Sequence, residues 1–210
     1  VPYNFEFKAV TVTYGMGEQV EFLSNHCKEH GIEHEIINTE IFELAGEKIR
    51  KNSSFCSFFS RMRRGYLYST ALEQGYNKVA LGHHLDDAME SFFMNFFYNG
   101  TMRTMPPIYK AENGLEVIRP LIFCRERQLR AFANTNEINV IGDEACPGLR
   151  FDVKMPHARA TTKELLAKLE EENPKIFVSM KAAFSNIQLP TFFYKDLKDI
   201  KLNLQEDENI

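Results

Sequence analysis

The chain has 210 residues, 44% of them hydrophobic and 26% charged, with a formal net charge of -4, which suits a globular protein of one main core with a small appendage. No stretch approaches the roughly 20 consecutive apolar residues of a bilayer-spanning helix, and the opening VPYNFEFKAVTVTY lacks the basic start and apolar run of a signal peptide. A membrane role is not expected, and the acidic balance excludes nucleic-acid binding by the whole surface, leaving a local patch such as Arg61, Arg63 and Arg64.

The hydrophobic periods predict a strand over Phe5 to Tyr14, a helix over Gln19 to His30 closed by Gly31, and a strand over Ile32 to Asn38. A long helix follows over Cys56 to Gly75, then a strand over Asn77 to Leu81 and a helix from about Asp86 through Phe97. Tyr98 to Gly114, rich in Gly, Asn and Pro, reads as a long mobile loop. Glu116 to Leu121 reads as a strand, Arg125 to Asn136 as a helix and Ile138 to Ile141 as a last strand. Beyond these, Thr161 or Thr162 can cap a helix running through Glu172, Pro174 can open another, and the tail from Asp199 is expected to fray. Alternating strands and helices imply an α/β domain with a doubly wound, mainly parallel sheet over residues 1–148, and residues 149–210 form a C-terminal helical extension.

Ligands of such sheets gather at the carboxyl ends of the strands, where Gly82-His83-His84-Leu85-Asp86-Asp87 falls. Asp86 and Asp87 are hard oxygen donors suited to magnesium bridging nucleotide phosphates, or one of them simply caps the following helix. Arg61 and Arg64, three apart on a helix, share a face from which both can grip phosphate, although such runs commonly face solvent. Cys27, Cys56, Cys124 and Cys146 are widely spaced in a chain without a secretion signal, which favours reduced thiols and the cytoplasm. Cys56 and Cys146 both adjoin loop-like residues and could ligate a cluster or carry sulfur, the alternative being inert buried thiols. His26, His30 and His34 recur at helical spacing, but Gly31 separates the last, so surface histidines rather than a metal site are expected.

The segments Cys56-Ser-Phe-Phe-Ser-Arg-Met-Arg-Arg-Gly-Tyr-Leu-Tyr, Leu81-Gly-His-His-Leu-Asp-Asp, Met105-Pro-Pro and Ile118-Arg-Pro-Leu-Ile-Phe-Cys-Arg-Glu occur in an order and spacing that resembles the tRNA 2-thiocytidine synthetases of the PP-loop ATPase superfamily. The resemblance spans Phe5 to Gly148 and implies a five-stranded parallel sheet of the adenine-nucleotide α-hydrolase type. It implies an enzyme that uses ATP and magnesium to adenylate the C2 oxygen of an anticodon-loop cytidine in tRNA, after which sulfur displaces AMP. Gly82, His83, Asp86 and Asp87 would lie beside ATP, Arg61 and Arg64 would contact phosphate, and Cys56 and Cys146 would handle sulfur or hold iron. Expected partners are tRNA, a sulfur donor such as a cysteine desulfurase, and a second copy of the chain in a homodimer.

Two departures qualify this. The Ser-Gly-Gly-x-Asp-Ser phosphate loop and the strand before it do not occur, so a segment carrying them is expected upstream of Val1 in a longer protein. The position that completes the C-x-x-C pair of a three-cysteine 4Fe-4S cluster is Phe59, which cannot ligate iron, so a cluster needs another ligand or the cysteines carry persulfide sulfur. The competing readings are a lysidine-type ligase, in which an amine replaces sulfur, and a non-catalytic tRNA-binding relative.

Overall fold

The computed structural model describes residues 4–48, 55–141 and 158–191. The chain divides into two compact units, Val1–Lys163 and Glu164–Ile210. In the first, β1 (Ala9–Val12), α1 (Glu21–Glu29), β2 (His34–Ile37), α2 (Ile41–Lys48), α3 (Phe55–Glu73), β3 (Lys78–Ala80), α4 (Leu85–Asn99), β4 (Ile108–Lys110), β5 (Glu116–Ile118) and α5 (Glu126–Thr135) follow in order. Helix α6 (Ala158–Glu172) crosses from the first unit into the second, which also holds α7 (Ile176–Ala183) and a 3-10 turn at Leu189–Thr191.

The alternation of strands and helices gives the α/β class expected, and among the described residues the strands pair as two sheets. β1 and β2 pair in parallel, Ala9 opposite His34 and Val12 opposite Ile37. β3 pairs in parallel with β5, and β4 pairs antiparallel with the other side of β5. Among the described residues β1 therefore has β2 as its one strand partner and β3 has β5, so each keeps an edge with no strand on it.

Helix α3 packs on both β1 and β3 and is the element common to the two sheets. Its Phe59 joins Val12, Ile41 and Ala45 in one buried cluster, ringed by Tyr14, Ile37, Phe42, Phe58, Met62, Tyr66 and Leu67. Twelve residues along, Ala71 joins Val79 and Leu115 in a second cluster under β3 and β5. Removing such side chains from water is the main source of stability here, about 25 cal/mol per Å² of apolar surface.

Three expectations are corrected. The loop expected over Tyr98 to Gly114 contains β4, which forms a hairpin with β5 because Gly114, at φ 91°, closes the turn and Ala111 N donates to Leu115 O at 2.8 Å. Ile138 to Ile141 forms no strand. Helix α2 has no counterpart in the sequence-based reading, since its eight residues are too short for the helical period to stand out, yet Ile41 is fully buried.

The ends of β1 and β2 are laced together by Thr13 and Thr39. Thr39 Oγ1 donates to the Thr13 carbonyl at 2.6 Å, and Thr39 N donates back to Thr13 Oγ1 at 3.3 Å. The turn that follows is held by the Glu18 carboxylate, which accepts from Tyr14 N at 2.6 Å and Met16 N at 3.0 Å. Gly15 sits in this turn at φ 81°, and a Cβ there would lie 2.6 Å from the Thr39 carbonyl oxygen. Gly15→Ala is expected to destabilise the chain by about 2 kcal/mol or more, from left-handed strain plus that clash, read as a lower urea midpoint. Gly17→Ala, with φ 71° but open space around it, should cost less.

Candidate active site in the cleft between the two sheets

A cavity of about 1540 Å³ opens between the partnerless edges of β1 and β3. Val10, Thr11 and Val12 line it from one sheet and Lys78, Val79 and Ala80 from the other, with Thr13, Tyr14, Leu81, Gly82 and His83 at the carboxyl ends of those strands. Its remaining wall is one face of α3, where Arg63, Leu67, Thr70, Ala71 and Gln74 recur at helical spacing. The cavity runs along the length of β1 and β3, and its end at Thr13, Tyr14, Gly82 and His83 is where an open parallel sheet binds its ligand.

Each expected site residue has a definite place. Gly82 is exposed, and a Cβ there would meet nothing within 4 Å, so backbone and ligand can approach closely at this strand end. His83 is half-buried against Arg119, and its Nδ1 is buried without a hydrogen-bond partner. Burial, reinforced by Arg119 and opposed by Asp87, lowers the His83 pKa from its ordinary 6.5, so the imidazole is neutral at physiological pH. Arg119 is itself buried; Nη1 donates to the Pro106 carbonyl at 2.7 Å, its guanidinium lies 5.2 Å from the Tyr109 ring centre, and its Nε is unpartnered. Of these two unpartnered atoms, His83 Nδ1 belongs to a residue that lines the cavity, and a ligand there can satisfy it.

The adjacent carboxylates diverge. His84, not Asp86 or Asp87, is the N-cap of α4: its Nδ1 accepts from Asp87 N at 3.3 Å, and Asp87 Oδ2 accepts from His84 N at 3.0 Å. Asp87 also lines the cavity and receives Arg159 Nη2 on Oδ1 at 2.5 Å. Arg159 Nε reaches the buried Glu90 at 2.7 Å, so one guanidinium bridges two carboxylates of α4 and leaves the trio with one net negative charge. Asp86 turns to α5, where Arg125 Nη2 lies 3.1 Å from its Oδ1 and Glu126 N donates to its Oδ2 at 2.7 Å. That arrangement staples the start of α5 to the start of α4 and places Asp86 among bonds rather than on the cavity wall.

The basic helix is also sorted by geometry. Arg63 reaches the cavity and donates to Tyr14 OH at 3.0 Å, whereas Arg64 donates to Ser60 O on its own helix at 3.2 Å and Arg61 is exposed. The pairing of Arg61 with Arg64 by helical spacing therefore missed the arginine that lines the cavity. Its signal was the spacing of Arg63 with Leu67, Thr70 and Gln74, visible only once that face has a cavity to look into. Arg119 falls in the Ile118-Arg-Pro segment without its role being readable there, and Arg159 carries no sequence signal because its partners Asp87 and Glu90 lie far along the chain.

Among the cysteine positions, the Cys56 side chain and Cys146 lie outside the described residues, and Cys124 is a half-buried free thiol whose carbonyl receives Leu85 N at 2.9 Å. Phe59 is 3% exposed, edge-on to Tyr14 with ring centres 5.3 Å apart. A core hydrocarbon ring occupies the position where a three-cysteine cluster requires a thiolate, so these residues do not fit that cluster.

The buried imidazole makes stability depend on pH. The unfolded chain protonates His83 near its ordinary 6.5 while the folded state resists protonation, so stability is unaffected above that value and falls as pH drops below it. Urea midpoints measured on both sides of pH 6.5 should show a smaller acid loss in His83→Gln than in the wild type.

Comparison with known proteins places this geometry. The PP-loop domain family matches residues 3–154. The tRNA-cytidine(32) 2-sulfurtransferase of Geobacter metallireducens is 39% identical, over 89% of this chain and 72% of that protein. The enzyme of the same name from Pseudomonas aeruginosa PAO1 is 36% identical, over 99% of this chain and 74% of that protein. In fold, the chain is similar to the U34-tRNA thiolase NcsA from Methanococcus maripaludis, a structure with a [4Fe-4S] cluster, at a TM-score of 0.68 and 21% identity over 90% of this chain. The chain spans 64% of that structure's length. No helix among the described residues is long and apolar enough to cross a membrane. With a cleft at the strand ends of an α/β sheet, a PP-loop match over most of its length and relatives at this identity, the chain belongs to the tRNA-cytidine(32) 2-sulfurtransferase family of PP-loop proteins.

Proposed function

We propose that this chain is the nucleotide-binding and sulfur-transferring part of an ATP-dependent tRNA sulfurtransferase of the cytoplasm, with residues 1–148 forming the catalytic domain. The observation that carries the reading is the cleft, which brings Gly82, His83, Arg63 and Asp87 to one cavity at the carboxyl ends of β1 and β3. ATP is the substrate it suits: open space at Gly82 admits the nucleotide, Arg63 offers bidentate contacts to phosphate, and Asp87 would hold the magnesium that accompanies ATP, which would supply positive charge to offset the phosphates. Arg159 offsets half of the charge of Asp87 and Glu90.

In the reaction, the C2 oxygen of a tRNA cytidine attacks the α-phosphorus of ATP and pyrophosphate leaves. Sulfur then bonds to C2 as the C2–O bond breaks, and AMP departs with the former C2 oxygen. A neutral His83 can accept or donate one proton in this sequence, which an imidazolium could not do as a base. One of Cys56 and Cys146 takes sulfur from a donor persulfide as its own persulfide, whose outer sulfur attacks C2. The thiolate of the other cysteine then cleaves the resulting mixed disulfide, leaving sulfur on C2 and a Cys56–Cys146 disulfide that a thiol reductant reopens for the next turnover. With Phe59 in the core, no step is assigned to an iron-sulfur cluster. Relatives named for 2-thiolation favour sulfur over the amine nucleophile of lysidine synthesis.

The decisive experiment expresses the full-length protein, with the segment expected upstream of Val1, in cells lacking their own 2-thiocytidine synthetase and analyses tRNA nucleosides by mass spectrometry. The wild type should restore 2-thiocytidine; Cys56→Ala and Cys146→Ala should abolish it. Asp87→Ala should reduce it by about 100-fold, the scale of losing one electrostatic contact to a transition state. No 2-thiocytidine from a soluble wild-type protein would overturn the proposal.

Iron provides a separate check. Anaerobically purified wild type should hold less than one cluster equivalent of iron and labile sulfide, and Phe59→Cys, which restores the C-x-x-C pair, should raise both. A full cluster in the wild type would mean that another ligand replaces position 59.

A further inference from the structure

The last turn of α1 gathers a second set of ligand-type side chains, and they are not among the residues lining the cleft. His26, Glu29 and His30 each bring one donor atom to a place where all three lie within 4.8 Å of one another. Their spacing along the helix, three and four residues, puts them on one face. The two imidazoles lie side by side, ring centres 4.3 Å apart.

The hydrogen bonding of the His30 ring distinguishes it from an ordinary surface histidine. His30 Nδ1 lies 2.9 Å from the His26 carbonyl oxygen. A ring nitrogen facing a carbonyl carries the proton, so neutral His30 presents the lone pair on Nε2, and the same bond fixes the ring's orientation. Metal-bound histidines are commonly held in this way, the second ring nitrogen donating to a backbone carbonyl. His34 shows the contrast: its Nε2 lies 2.9 Å from Thr11 Oγ1 and its Nδ1 2.9 Å from Ser24 Oγ, so both nitrogens are engaged. The helix ends at this point, with Gly31 in the left-handed region at φ 66°. Its terminal carbonyls are the negative pole of the helix and favour a cation beside them.

We propose that His26, Glu29 and His30 form a binding site for a divalent first-row transition ion of the Zn²⁺ type. Two imidazole nitrogens and a carboxylate suit zinc and copper, whereas magnesium prefers an all-oxygen set. Glu29 and His30 are exposed and His26 half-buried, so the ion keeps solvent in its remaining position and exchanges with the medium. Bound there, it clamps the last turn of α1 ahead of β2, with no part in the chemistry of the cleft.

The test measures Zn²⁺ binding to the full chain by equilibrium dialysis under reducing conditions. The wild type should hold one more equivalent than the double variant His26→Gln/His30→Gln, and His30→Gln alone should weaken that equivalent at least about tenfold. Cu²⁺ bound at this site should show spectroscopic coupling to two imidazole nitrogens in the wild type and to one in either single variant, which separates it from metal held by thiolates. The single variants keep the test decisive if the double variant does not fold. Equal Zn²⁺ stoichiometry and affinity in the wild type and His30→Gln, or a Cu²⁺ signal without coupling to two imidazoles, would overturn the proposal.

Discussion

The molecule depends on α3 lying against β1 and β3 at once. Because those strands do not pair with each other, nothing in the backbone hydrogen bonding joins the two sheets among the described residues. Side-chain packing along the helix does so instead, through Phe59 near one end and Ala71 near the other. The helix face between them, from Arg63 through Leu67 to Gln74, is left to form a wall of the cavity. One element therefore supplies both the cohesion of the fold and a side of the site. The same dependence explains why Phe59 occupies the position of an expected thiolate, since its ring is part of the packing that holds β1 in place.

Charge at the start of α4 is organised just as economically. Three carboxylates fall within five residues, and mutual repulsion in a partly buried place would be costly without partners. Arg125 takes Asp86, and Arg159 takes both Asp87 and Glu90. The negative groups also sit at the positive end of the helix. Two guanidinium groups against three carboxylates leave one net negative charge here, and among the described residues the buried side-chain atoms without hydrogen-bond partners are His83 Nδ1 and Arg119 Nε. A ligand entering the cleft meets His83, whose Nδ1 has already lost its hydration on folding, and a pre-set polar group of this kind can respond to developing charge without reorganising.

Much of this was legible in the residues before any fold was known. The period of the hydrophobic residues located α1, α3, α4 and α5 to within a few positions, and the strand-to-helix junction at Gly82 was visible from Val79-Ala80-Leu81 followed by polar residues. The residues of α2 and β4 escaped because short elements leave too few repeats to establish a period. Two adjacent aspartates looked equivalent, yet one step along a helix turns a side chain by about a quarter of the circle, enough to send Asp86 to Arg125 and Asp87 to the cavity. The same arithmetic separated Arg63 from Arg61 and Arg64. Histidines 26 and 30 looked like surface residues because the spacing alone says nothing about where their ring nitrogens point.

The sequence by itself determined the α/β class, the family and the segment at the carboxyl end of β3, because periodicity and ordered motifs are local properties of the chain. Only the tertiary structure decided which charged side chains meet, which arginine faces the cavity and that the strands form two sheets with a cleft between them. Those outcomes rest on pairings between residues as far apart as Asp87 and Arg159. Their energies depend on burial and distance, and neither quantity exists until the chain has folded.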